Sequence, residues 1–207
     1  QRAAQSGLGL AIHAIGDRAN HEILNGYAML RSFEGQNNLP HLRHRIEHVQ
    51  LLHPDDLQRL ADLAIIGSVQ PVHAISDIDI ADRHWGSRSR YAYAYKTLLD
   101  RNTRIAFGSD APVETPNPFL GMHAAVNRTR PSGYPGHHGW YPEQRISLEK
   151  ALAAYTTGPA FAAGLENKAG QLSPGFFADL IVLDRDPFEI QPEELHLQSP
   201  VATMVAG

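Results

Sequence analysis

No polar residue interrupts the run from Leu8 to Ile12, which stops at His13. Such a run, without polar alternation, is what a parallel strand covered on both faces requires, and it predicts a strand over 8–13. The period then changes. Ile23, Leu24, Tyr27 and Leu30 recur three and four apart, placing them on one face of a helix over about 19–32, with Gly35 beyond its end. A polar link through Asn37 and Asn38 leads past Pro40 to a second strand over 44–48. Pro54, Asp55 and Asp56 form a helix start, with proline in the first turn and acids at the positive end of the dipole; Leu57, Leu60 and Leu63 continue it. A third strand over 65–70 ends at Pro71. The polar stretch 72–89 reads as a loop, followed by a helix over about 90–100 and a strand over 104–107. Strands alternating with helices imply right-handed crossovers and a parallel sheet.

Beyond Asp110 the rhythm is lost. Asn117-Pro118 starts a helix to about Asn127, and 131–142, rich in Gly, Pro, His and aromatics, has no period and reads as a long loop. Ser147 can cap a helix over 148–155, which Gly158-Pro159 breaks before a short helical turn up to Gly164. Ser173-Pro174-Gly175 is a turn signal. It precedes a strand over 179–184, with 201–205 as its expected partner. The first seven residues read as the last turns of a helix, and 201–207 stops inside a strand-like run, so a segment of a longer chain is expected.

Composition narrows the function classes. With 43% hydrophobic residues, 207 residues can bury a sizeable core. The net charge of −4 and the lack of any basic run argue against nucleic acid. No apolar run approaches the roughly 18 residues of a membrane span. The absence of cysteine excludes disulfides and thiolate metal sites, and fits a reducing compartment, so a cytoplasmic location is expected. Twelve histidines raise the weight of a metal site.

Three predicted strands end in groups that can hold a metal: His13, His48 and Asp110. The carboxyl end of a barrel strand is where a metal ligand or general base is needed. Taken singly, each histidine reads as a satisfied core residue and Asp110 as a turn cap. Taken together, at the ends of strands one unit and then two units apart, they read as ligands.

The motifs His-Ala-Ile-Gly-Asp-Arg-Ala at 13–19, Arg-Ile-Glu-His at 45–48, Gly-Ser-Asp-Ala-Pro at 108–112 and Gly-Gln-Leu-Ser-Pro-Gly-Phe-Phe-Ala-Asp-Leu-Ile-Val-Leu-Asp at 170–184 resemble the amidohydrolase superfamily. More narrowly they resemble its family-3 branch, with the N-substituted formamide deformylases and D-aminoacylase-like enzymes. The resemblance implies an α/β fold: the C-terminal half of a distorted (β/α)8 TIM-type barrel, strands 5–8, over 1–168, and part of a small β-sandwich domain over 169–207. It implies zinc or another divalent metal, one or two ions in the full-length enzyme, with His13, His48 and Asp110 as ligands and Asp110 also as proton shuttle. His73, Trp85 and Arg88 fall after the third strand, where family members hold substrate. The first-strand His-x-His pair and the bridging lysine or acid of the family would lie upstream of Gln1.

The implied activity is hydrolysis of a carbon–nitrogen bond, amide or N-acyl, in a small-molecule substrate, with the segment alone expected to be inactive. The partner required is the missing N-terminal half of the barrel, and a homo-oligomer stays open. The competing reading is a non-catalytic half-barrel acting as a structural or assembly unit. Among the remaining polar residues, Asp17 is expected to cap the following helix, Glu47 to pair with Arg45 or Arg43, pointing away from His48, and His123 to be structural. His137, His138, Trp140 and Tyr141 suit a lid or a plain surface insertion. His41, His44, His53 and His84 are expected at the surface.

Overall fold

The computed structural model describes residues 1–207. In chain order the elements are α1 (Arg2–Gln5), β1 (Ala11–Ala14), α2 (Asp17–Gln36), β2 (Arg45–His48), α3 (Arg59–Asp62), β3 (Ile66–Val69), α4 (Pro71–Ser76), α5 (Ile78–Trp85), α6 (Tyr95–Asp100), β4 (Ile105–Phe107), α7 (Pro118–Asn127), α8 (Leu148–Tyr155), α9 (Thr157–Ala163), β5 (Leu180–Leu183) and β6 (Pro200–Met204). No helix is long and apolar enough to cross a membrane. The chain divides into two compact units, 1–69 with 81–105, and 70–80 with 106–207.

The first unit is a mixed α/β arrangement on a parallel sheet, in keeping with the strand–helix rhythm. β1 pairs with β2 in parallel, Ala11 opposite Arg45 and Ala14 opposite His48; β2 pairs with β3 in parallel, Arg45 opposite Ile66. Gly67 N–H then donates to the Arg104 carbonyl at 2.9 Å, and β4 follows as fourth in the order β1-β2-β3-β4. Ile46, Val69, Leu24 and Leu60 are all fully buried in this unit.

Helix α2 is longer than its apolar stripe predicts, because polar residues carry its ends. Gly16, not Asp17, is the N-cap; Asp17 is the first helical residue. Towards the other end, Arg31 donates to the carbonyls of Leu63 at 2.8 Å and Leu42 at 2.9 Å, and to Glu34 at 2.7 Å. Glu34 accepts from His44 Nε2 at 2.8 Å, and His44 Nδ1 accepts the Leu10 N–H at 3.0 Å. His44 is therefore not a surface residue. It is fully buried, with both ring nitrogens used.

The stretch 72–89 is helical rather than a loop. Pro71 closes β3 and also opens α4, where a missing N–H costs nothing. Its polar residues hide short amphipathic helices: Ile75, Ile78 and Ala81 are buried while Asp79, Asp82 and Arg83 are exposed. His73 and Trp85 thus sit on α4 and α5, and Arg88 in a 3₁₀ turn over Gly86–Tyr91.

In the second unit the caps fall where the sequence places them. Asn117 Oδ1 accepts the Phe119 N–H at 2.9 Å at the start of α7, and Ser147 caps α8 through the Lys150 N–H. Gly121 of α7 meets Tyr155 of α8 so closely that a Cβ there would lie 1.7 Å from the phenolic oxygen. Trp140 is no surface lid. It is 5% exposed, lies 5.1 Å from the Arg128 guanidinium, and exchanges hydrogen bonds with Arg128 in both directions. β5 and β6 pair antiparallel, Leu180 opposite Met204, as the tail pattern predicts.

Candidate functional site

His13 is the third residue of β1 and His48 the last of β2. The register sets His13 opposite Glu47, so regular alternation would turn His48 to the other face of the sheet. The two rings nevertheless meet edge to face, 4.4 Å between centroids and 73° between planes. His48 has φ +77° and Val49 φ +47°, left-handed values that take this strand end out of the pleat. Glu47 pairs with Arg45 at 2.5 Å, as expected.

The loops that carry these strand ends are tied together from α2. Asn20 is fully buried, and its Nδ2 donates to the Leu51 carbonyl at 3.0 Å and the Gly16 carbonyl at 3.1 Å. Leu51 N–H donates in turn to the Ile15 carbonyl at 2.9 Å. Nothing in the helical period distinguishes Asn20, and only its position one turn into a helix that follows a strand hints at the role.

Elsewhere in the first unit, Arg88 forms an ion pair with Asp17. Burial works against the Asp17 charge, but the Arg88 guanidinium and the Arg18 N–H outweigh it and hold the carboxyl below its usual range. Both residues line a cavity of about 330 Å³ together with His53, Arg90 and Tyr91. Trp85 is half-buried at the end of α5.

In the second unit Asp110 follows β4 with φ +59°, and its side chain is 38% exposed. His73, buried in α4, brings Nε2 to 3.4 Å from Asp110 Oδ2 and Nδ1 to 3.6 Å from Glu114 Oε1. Ser76 donates its hydroxyl to that same Glu114 oxygen at 2.6 Å. Sequence reasoning does not single out Glu114 or Ser76; the available signal was an acid four residues past Asp110 on the same turn. His123 is structural in its contacts. Its Nε2 donates to the Thr129 carbonyl at 3.1 Å, its Nδ1 accepts from Asn127 at 3.1 Å, and burial pushes its pKa down.

The sequence profile of the amidohydrolase family matches residues 1–207, the whole of the chain. The chain belongs to the amidohydrolase family. This amidohydrolase-family chain is 39% identical over 207 residues to Protein LONG AFTER FAR-RED 3 of Arabidopsis thaliana, covering 99% of this chain and 34% of that protein. It is 31% identical over 208 residues to N-substituted formamide deformylase of Arthrobacter pascens, covering 100% of this chain and 37% of that enzyme. The crystal structure of an uncharacterized metal-dependent hydrolase from Pyrococcus horikoshii OT3 matches with a TM-score of 0.77 and 35% identity, over 92% of this chain and 37% of that one. The chain spans little more than a third of the length of these relatives.

Proposed function

We propose that this chain is the C-terminal half of a metal-dependent amidohydrolase barrel, over 1–168, followed by part of a small β-domain over 169–207. It serves the hydrolysis of a carbon–nitrogen bond in a small amide or N-acyl compound. The observation that carries the reading is the ring contact of His13 and His48 at adjacent parallel strand ends, in a chain matched by the family over its whole length.

The donor chemistry fits a metal. Zinc takes imidazole nitrogen and carboxylate oxygen, and a catalytic site keeps one position open. His13, His48 and Asp110 are the residues that would hold the ion. When bound, a divalent ion supplies Lewis-acid polarisation of the carbonyl and activation of water. Asp110 then takes a proton from the attacking water at a carboxylate oxygen as the new C–O bond forms. It returns that proton to the leaving nitrogen as the C–N bond breaks, so that one group serves as base and then as acid. The left-handed backbone at Asp110 holds the carboxylate at the strand end while leaving it partly open to solvent, as a proton carrier requires. Trp85 and Arg88 are the residues proposed to meet substrate, Arg88 being held by Asp17 beside the cavity described above.

The test uses the full-length protein, an amide and N-acyl panel, and elemental analysis. The expected result is divalent metal in the wild type, metal depleted in His48→Ala, and turnover reduced by roughly 10²–10⁴-fold in Asp110→Asn. Turnover that survives Asp110→Asn, or a wild type without metal, overturns the proposal.

A further inference from the structure

The cavity of about 330 Å³ in the first unit opens among the segments that leave the carboxyl ends of β1 and β2, near which His13 and His48 stand. Asp17 follows β1, His53 follows β2, and Arg88, Arg90 and Tyr91 come from the 3₁₀ turn over Gly86–Tyr91. That turn is a fixed wall. Ser89, between the two arginines, is fully buried and donates its hydroxyl to the Ala81 carbonyl at 2.9 Å. Tyr93 N–H donates to the Gln50 carbonyl at 2.7 Å and Leu52 N–H to the Tyr91 carbonyl at 3.3 Å, which ties the turn to the segment after β2.

The charges on this wall do not cancel. Arg88 is paired with Asp17. Arg90 has its guanidinium 4.6 Å from the centroid of the Tyr91 ring and has no carboxylate partner. Stacking fixes the plane of a guanidinium and leaves the N–H groups along its edge open to an acceptor. With His53 neutral, two guanidiniums against one carboxylate leave a single positive charge among the lining residues. Its complement is one negative charge on a flat, two-oxygen group, which a guanidinium edge can meet with two parallel hydrogen bonds. A neutral group would leave the Arg90 charge to solvent, and a cation would meet a like charge.

We propose that this cavity is a subsite for a carboxylate, with Arg90 as the residue that receives it and Arg88, braced by Asp17, beside it. The substrate class is thereby narrowed to amides and N-acyl compounds that carry a free carboxylate. This deepens the function proposed above and rests on that reading. Arg90 determines specificity and takes no part in bond cleavage.

The experiment titrates the full-length protein calorimetrically with 3-benzoylpropionate and with its neutral carboxamide. Both are inert ketones in which a methylene stands where N-benzoylglycine has its scissile N–H. Hydrolysis of N-benzoylglycine and of the amide panel is followed separately. The carboxylate is expected to bind roughly 10-fold more tightly than the carboxamide, the margin of a charge-assisted hydrogen bond at a solvent-accessible site. That margin should shrink with added salt, vanish in Arg90→Gln and survive in part in Arg90→Lys. The salt dependence in the wild type decides the matter if a variant fails to fold. Equal binding of the two ketones, or a margin that persists in Arg90→Gln, overturns this inference; hydrolysis of the panel in the same protein leaves the hydrolase reading standing. A matching phosphonate that binds more tightly than the carboxylate also overturns it. Arg90-dependent binding of the carboxylate without hydrolysis of any amide supports the subsite and overturns the hydrolase reading.

Discussion

At His48 and Val49 two successive residues adopt left-handed backbone angles, which in a β-branched residue is a genuine outlier. Strain of this kind is kept where the surroundings over-determine it and concentrates at functional positions. Asp110 shows it as well. Ala64 is a useful contrast, since it has φ +49° but lies exposed just past the end of α3 and far in sequence from any proposed ligand. Glycine is the ordinary residue at that place. Ala64→Gly is expected to stabilise the protein by roughly 0.5–1 kcal/mol, the left-handed penalty less the entropy that glycine adds to the unfolded chain; urea unfolding measures it. At this scale His13, His48 and Asp110 could be proposed from sequence because each stands at the end of a predicted strand. Asn20, His44 and Glu114 could not. Their importance comes from partners 31, 34 and 38 positions away in the chain, Leu51, Leu10 and Ser76, and local pattern holds no record of such pairings. His44 stands in His-Leu-Arg-His-Arg, whose polarity conceals a buried ring.

Among the elements, strands and capped helices were legible and short helices were not. β1, β3 and β4 show as largely apolar runs, β2 holds only Ile46 among charged and polar residues, and Asn117 and Ser147 announce themselves as caps. By contrast α4 and α5 have six and eight residues, too few for a period to stand out from a charged background. The packing of α7 on α8 depends on one missing side chain. Gly121→Ala would set its methyl 1.7 Å from the Tyr155 oxygen and 2.8 Å from the ring carbon bearing it. Overpacking of this kind costs about 1–3 kcal/mol, and a drop in thermal midpoint should show it. Adding Tyr155→Phe removes the nearer clash only, so the double variant should recover part of the loss, not all of it.

At the scale of the whole molecule, the acid response is set by the network under α2. Burial lowers the His44 pKa below its ordinary 6.5, against the hydrogen bond that His44 donates to Glu34. Burial tends to raise the Glu34 pKa, but hydrogen bonds from Arg31 and His44 outweigh it and the net shift is below 4.5. Both groups bind protons more tightly unfolded than folded, so each stabilises the fold above its unfolded pKa. Stability should therefore begin to fall as pH drops below about 6.5 through His44, and fall again below about 4.5 through Glu34. Urea unfolding from pH 8 to 4 checks this, and His44→Gln should flatten the first decline. The β5–β6 hairpin adds a second global trait, with Ile181, Val182, Val201 and Met204 each 45–65% exposed. Its strands were readable from strand-like runs after the turn residues at 173–175, while the exposure of both was not, since the same residues would suit a covered sheet.

Residue 49 answers to two opposed demands. Its torsion favours glycine, while its side chain is a wedge, 1% exposed, beside the bare backbone of Gly67. Burying a valine contributes about 1.5–3 kcal/mol, more than the roughly 1–2 kcal/mol that the torsion costs, so the wedge prevails. Val49→Gly would relax the torsion and lose the burial that outweighs it. A bulky apolar side chain is therefore expected to serve position 49 better than glycine, at the expense of main-chain comfort.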